Sequence, residues 1–264
     1  MRKKLMILAL ISLLTACSTV PFSGRSRLNI VPDDMMLSMS FTNYTDFLKE
    51  NPPLSANDPA TIQIRRIGNK ISNAISSYMK ANNQEDLIKN FAWEFNVVKS
   101  NEVNAWCMPG GKVVFYTGIL PITKDDNGIA VVMGHEIAHA IAKHGNERMS
   151  QQLLISMGGM ALATALEKKP EETKNLFLTA FGVGSTLGTL AYSRNHEYEA
   201  DRMGMIFMAM AGYNPNSAVE FWQRMSANGG SRVPEFLSTH PSDQNRINEL
   251  KKLIPEAMKY YKPS

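Results

Sequence analysis

The stretch Asp126-Asn127-Gly128-Ile129-Ala130-Val131-Val132-Met133-Gly134-His135-Glu136-Ile137-Ala138-His139-Ala140-Ile141 decides how the rest of this chain is read. Asp125 and Asp126 supply N-cap chemistry, Gly145 a stop, and the residues between are mostly apolar, so a helix is predicted from Asp126 toward Gly145. At 3.6 residues per turn, His135 and His139 project from one face, one turn apart. Two imidazoles so placed can hold one zinc ion, with Glu136 beside them to take a proton from an attacking water. This is the H-E-x-x-H arrangement of zinc peptidases. A buried helix with two hydrogen-bonded histidines would carry the same letters, so the decision passes to the rest of the chain.

A zinc peptidase site has three protein ligands and one open position. Metzincin spacing needs glycine at 142 and histidine at 145; the chain has Ala142 and Gly145, which excludes it. His144 lies about 140° round a continuous helix from His139 and reads as a helix-end histidine favoured by the macrodipole. Stronger candidates stand in Ser193-Arg194-Asn195-His196-Glu197-Tyr198-Glu199-Ala200-Asp201. Glu197 and Asp201 are one turn apart, so one can ligate a metal while the other accepts the outward N–H of a ligating histidine. The same spacing also suits an exposed helix face. Glu199 points roughly 160° away and reads as solvated or paired with an arginine, and His196 as a surface or packing residue.

The chain of 264 residues, 44% apolar, is long enough for one large domain or two small ones with a real core. Its first 16 residues have a positive start (Arg2, Lys3, Lys4) and an apolar run too short to span a membrane. Leu14-Thr15-Ala16-Cys17 resembles the lipobox of bacterial lipoproteins, which implies cleavage before Cys17 and lipid attachment to it. An ordinary signal peptide, with Cys17 a bystander, is the alternative. Removing residues 1–16 leaves 25 basic against 24 acidic residues, a net charge of about +1, so charge offers no case for nucleic acid as a partner. With Cys17 acylated only Cys107 remains, and no intramolecular disulfide can form.

Residues 18–34 are polar and read as a tether, within an N-terminal segment 17–57 that precedes a domain at 58–264. Asp58-Pro59 caps a helical pattern to about Met79, with a stripe through Ile62, Ile67, Ile71, Ala74, Ile75 and Tyr78. Strands are expected over 90–100 and across 103–116, turning at Pro109-Gly110-Gly111. Apolar helical stretches at 149–166 and 175–192 read as packed helices beside the site rather than membrane spans. Helices at 194–210 and 215–227 and one opening at Ser242 complete the pattern, without internal repeats.

Four blocks in order resemble the HtpX/BepA/LoiP-type zinc metallopeptidases, relatives of the CAAX prenyl proteases. They are Asn104-Ala105 with Pro109-Gly110-Gly111, then His135-Glu136-x-x-His139, then Ser193-Arg194-x-x-Glu197-x-x-Ala200-Asp201, then Thr239-His240-Pro241 with Arg246. The resemblance implies an α+β, mostly helical gluzincin-type domain with a small β-sheet edge beside the H-E-x-x-H helix. It implies one zinc per chain, held by His135, His139 and Glu197, with Asp201 supporting a ligand and Glu136 as the catalytic base. It further implies that His240 sits near the metal, as a fourth ligand that shuts the site or as a stabiliser of the oxyanion. The strand carrying Gly110, Gly111 and Val113 would be an edge to which an extended polypeptide substrate adds. Arg246 could face the same cleft or pair with an acid on the last helix.

The likeness is to the single-domain lipoprotein branch, since spanning helices and a repeat module are not seen in the sequence. The expected activity is zinc-dependent endoproteolysis of misfolded or stalled proteins in a bacterial cell envelope. Ser18 after the cysteine suggests the outer membrane. A zinc-containing chaperone or assembly factor is the rival from another class, and a latent protease gated by His240 is a third reading. Oligomeric state is not encoded in any of these features.

Overall fold

The computed structural model describes residues 17–156, 160–183, 193–227, 235–240 and 244–263. Strands β1 (Cys17–Thr19) and β2 (Ser26–Leu28) pair as an antiparallel hairpin, followed by helix α1 (Asp33–Glu50). The tether expected over 18–34 is therefore corrected: this segment packs onto the domain. The reason is electrostatic. Arg25 reaches the carboxylates of Glu147 and Glu199, and Arg27 donates to the Ala142 carbonyl.

Helix α2 (Pro59–Ala81) begins as expected, with the Asp58 side chain accepting from the Ala60 amide at 2.8 Å and proline in the first turn. Its buried stripe runs through Ile64, Ile67, Ile71, Ile75 and Met79, whereas Ile62 faces solvent. Three strands follow, β3 (Glu94–Val98), β4 (Ala105–Met108) and β5 (Lys112–Tyr116). They lie in the order β3-β5-β4, with β5 parallel to β3 and antiparallel to β4. Gly110 and Gly111, both at φ +81°, make the β4–β5 turn, a backbone region that side chains disfavour.

That topology corrects the expected edge. The strand after Gly110 and Gly111, carrying Val113, is central, because its two sides are taken by Phe95 of β3 and Cys107 of β4. The edges are β3 and β4, and the end of β3 is partly covered by a bridge from Pro53 to Val98.

Side chains alternate across the sheet between two cores. Phe95, Val97, Ala105, Cys107, Val113 and Phe115 pack with α2 and the helices that follow; Val98, Trp106, Met108, Val114 and Tyr116 face α1. After a single helical turn comes α3 (Asp126–Ile141), capped by Asp125 and buried along nearly all its length. It stops short of Gly145. Lys143 takes a left-handed φ of 53°, which turns the chain into α4 (His144–Ser156).

The stretch expected as one helix over 149–166 is divided between α4 and α5 (Leu162–Lys168). It is followed by α6 (Pro170–Ala180), which covers part of the second expected stretch; 184–192 lie outside the described residues. Then come α7 (Arg194–Met210), α8 (Ser217–Ala227), the short α9 (Glu235–Thr239) and α10 (Gln244–Ala257). Ser242, read as a helix start, also lies outside them. The result is the expected mostly helical α+β architecture. Among the described residues no helix is long and apolar enough to cross a membrane.

Candidate metal centre

Helices α3 and α7 cross where both present glycine. A methyl group added at Gly134 would come within 2.6 Å of the Gly204 carbonyl oxygen, and one added at Gly204 within 2.8 Å of the His135 nitrogen. Backbones this close bring the His135 turn of α3 against the Glu197–Asp201 turns of α7. His240, directly after α9, enters from a third direction and is buried.

One ligand atom from each of His135, His139, Glu197 and His240 lies within 4.8 Å of all the others. Nε2 of His135 is 3.0 Å from Nε2 of His139 and 3.1 Å from Nδ1 of His240. Glu197 closes the group, with Oε1 3.0 Å from His240 Nδ1 and 3.4 Å from His139 Nε2, and Oε2 3.5 Å from His135 Nε2. Three imidazole nitrogens facing one another with a carboxylate form a set that a cation resolves. Zinc–ligand distances of about 2.0–2.1 Å put tetrahedral ligand atoms roughly 3.3 Å apart, close to the spacings seen here. Three nitrogens and one oxygen suit zinc.

The surroundings set charge and orientation. Oδ1 of Asp201 lies 3.0 Å from Nδ1 of His135, on the side of the ring away from the cluster. Arg246, buried over the Trp222 ring at 3.4 Å, reaches Glu197 at 2.6 Å and Asp201 at 2.7 Å. Burial alone would raise the pKa of Glu197, but His240 and Arg246 outweigh it and hold the carboxylate well below its ordinary range. His135 is opposed by burial yet raised to about 9 by Asp201 and Glu197. Burial lowers His240 to about 4 and pushes Glu136 up to about 8. Oε1 of Glu136 is buried without a hydrogen bond among the described residues and lies 3.4 Å from Nε2 of His240.

Several of these placements were not foreseen. His144 is not a bystander at a helix end, since the turn at Lys143 returns its Nδ1 to within 2.9 Å of Nδ1 of His139. Burial lowers its pKa to about 4. Glu199 is buried beside it, 3.0 Å from its Nε2, and also pairs with Arg25 as one of the two readings allowed. His196, expected at the surface or in packing, is buried, stacks on His144 and lies 3.0 Å from Glu147. Nothing in the local spacing of 144, 147, 196 and 199 announces this cluster. The buried histidine–carboxylate pairing depends on α4 and α7 meeting. Of the two roles considered for Arg246, facing the cleft is the one its contacts match.

A buried four-donor cluster, with two donors on an H-E-x-x-H helix and a carboxyl group beside them, defines a metallopeptidase domain. The comparisons with known proteins carry this further. The chain belongs to Peptidase family M48, whose profile matches residues 66–254, and the family's metal is zinc. It is similar to the mitochondrial metalloendopeptidase OMA1 of Schizosaccharomyces pombe, with 33% identity over 242 residues, covering 90% of this chain and 66% of that protein. The OMA1 of Saccharomyces cerevisiae is 32% identical over 260 residues, 95% of this chain and 72% of the relative. A shorter match joins it to the beta-barrel assembly-enhancing protease of Escherichia coli K12, 27% identical over 164 residues, 59% of this chain and 33% of that protein. The chain thus spans about two thirds of the fungal relatives and a third of the bacterial one.

Proposed function

We propose that this chain is a zinc-dependent endopeptidase in which His135, His139 and Glu197 hold the metal and Glu136 is the general base. The observation that carries the reading is the buried carboxyl group of Glu136 next to the converging donors. A purely structural metal site has no use for it. Zinc bound by these donors supplies Lewis acidity toward the scissile carbonyl and lowers the pKa of water to about 7.

The protein's own groups do the rest. Glu136 takes the proton of the attacking water and delivers it to the leaving amine; burial raises its pKa, which favours its holding that proton between the two steps. Asp201 accepts from Nδ1 of His135 and fixes the tautomer that turns Nε2 toward the cluster. Arg246 keeps Glu197 and Asp201 ionised. His240 serves the oxyanion, through a ring buried against the base.

A specific observation favours a second reading. Nδ1 of His240 stands within the donor cluster itself. A fourth ligand there gives a closed site, and the enzyme is then latent until His240 withdraws.

We place this activity in a bacterial cell envelope, in the HtpX/BepA/LoiP-like lipoprotein branch, with an acyl anchor at Cys17, residues 1–16 removed and the outer membrane as its site. Support comes from the lipobox-like Leu14-Thr15-Ala16-Cys17 and from the partial likeness to the E. coli protease. The substrates are polypeptides, foremost misfolded or stalled envelope proteins.

Casein cleavage and metal content, measured on wild type, Glu136→Gln and His240→Ala, test the enzymatic reading. Stoichiometric zinc with cleavage abolished in Glu136→Gln and lowered in His240→Ala supports an open protease. A silent wild type beside an active His240→Ala supports the latent form. Zinc with no cleavage by any variant overturns both in favour of an assembly factor.

A further inference from the structure

Each histidine on α3 needs its proton on Nδ1 if its Nε2 is to offer a lone pair to the cluster. For His135 the group that faces this nitrogen is the Asp201 carboxylate, with Oδ1 3.0 Å away. For His139 the partner at 2.9 Å is another imidazole, Nδ1 of His144, which can accept only if its own proton sits on Nε2. Nε2 of His144 lies 3.0 Å from Oε2 of Glu199, an acceptor that fixes the proton there. Glu199 is held in turn by Ser23 Oγ at 2.5 Å and by Arg25, whose Nε and Nη2 both lie 3.0 Å from its oxygens.

Arg25 has a second pair of contacts, at 2.9 and 2.8 Å, to the two oxygens of Glu147 on α4. Arg27, from the same hairpin, donates to the Ala142 carbonyl at the end of α3. The segment around β1 and β2 therefore grips both helices whose meeting brings His144 to His139.

We propose that His144, Glu199 and Arg25 form a directed hydrogen-bond relay that sets the tautomer and ring orientation of His139, so that the N-terminal hairpin completes the metal site. The direction of every bond follows from the carboxylate at the far end. Glu199 accepts from His144 Nε2–H, and His144 Nδ1 accepts from His139 Nδ1–H, which leaves His139 Nε2 facing Glu197 and His135. The opposite sense would put a proton on His139 Nε2 and remove a ligand. His144 and Glu199 are positioning residues; neither reaches the donor cluster. The inference rests on the reading that this cluster binds zinc.

The test is zinc affinity of the purified full chain, by competition with a chromophoric chelator, together with the visible spectrum of the cobalt(II) form. His144→Leu keeps an apolar-buried ring site filled but offers no acceptor, and a rise in zinc Kd of about 10–100-fold is expected, with an altered cobalt spectrum. His144→Gln offers a carbonyl acceptor at a similar reach and should stay within a few-fold of wild type. A purely structural role would instead make both variants lose affinity in step with thermal stability. If His144→Leu does not fold, Arg25→Ala, at a half-buried loop position, takes its place with an expected rise of about tenfold. Wild-type affinity in either folded variant overturns the relay while leaving the metal reading intact. A wild-type chain that takes up no zinc overturns the metal reading and the relay with it.

Discussion

Nη1 of Arg246 stands 2.6 Å from Oε2 of Glu197, in a site where both side chains are buried. The same guanidinium holds Asp201 and sits over the Trp222 ring, so one residue of α10 fixes two carboxylates of α7. Removing it strands two negative charges in the interior. Arg246→Met is expected to lower unfolding free energy by about 3–5 kcal/mol in the metal-free protein and to weaken zinc binding. Urea unfolding with and without chelator checks this; an unchanged midpoint would show that the pair carries no such weight.

Gly204 is expected to tolerate no side chain. In Gly204→Ala the new methyl would meet His135 backbone atoms at 2.8–3.0 Å, and neither backbone can swing aside as a side-chain end could. Separating α3 from α7 costs about 1–3 kcal/mol by the usual scale of overpacking and pulls Glu197 away from His135. Both thermal stability and zinc affinity should fall together. A variant as stable as wild type would mean that the helices slide rather than part.

Acid sensitivity should trace to Glu147 and its neighbour. Burial raises the pKa of Glu147, but His196 and Arg25 outweigh it and hold the group at about 2, against an ordinary 4.5. A depressed carboxylate contributes stability that is complete above 4.5 and is lost as pH falls toward 2. Glu199, also held at about 2, acts in the same sense. The urea midpoint should therefore decline steeply between pH 4.5 and pH 3. Glu147→Gln should show a shallower decline, and equal slopes for the two proteins would remove Glu147 from the account.

Cys107 should be chemically silent in the folded protein. Its thiol is fully buried on β4, and burial, with the nearby Glu136, pushes its pKa well above the ordinary value. Iodoacetamide at pH 8 should label it only after denaturation. Stoichiometric labelling of the native protein would reveal openings of the sheet that the packing does not suggest.

The features legible in the sequence are those whose physics is local. The H-E-x-x-H spacing puts His135 and His139 on one helix face whatever surrounds them, and the four-residue step from Glu197 to Asp201 works the same way. Caps at Asp58 and Asp125 act within a single turn, so the starts of α2 and α3 could be read directly. The alternating apolar pattern likewise marked the strands, though not their order. Strand order is a long-range choice: β5 lies in the middle because it pairs with β3 across a connection as well as with its hairpin neighbour β4.

Tertiary structure decided how the helix pair is surrounded. The family resemblance marked His240 and Arg246, but nothing in their own spacing from His135 sets where they lie, His240 3.1 Å from His135 and Arg246 2.6 Å from Glu197. The left-handed turn at Lys143 sends His144 back toward His139 instead of continuing round the helix. Arg25, in what reads as a polar leader to the domain, finds Glu147 and Glu199 only because α4 and α7 converge on the hairpin. A helix carries its own geometry in its letters, whereas a buried charge finds its partner only when separate elements close around it.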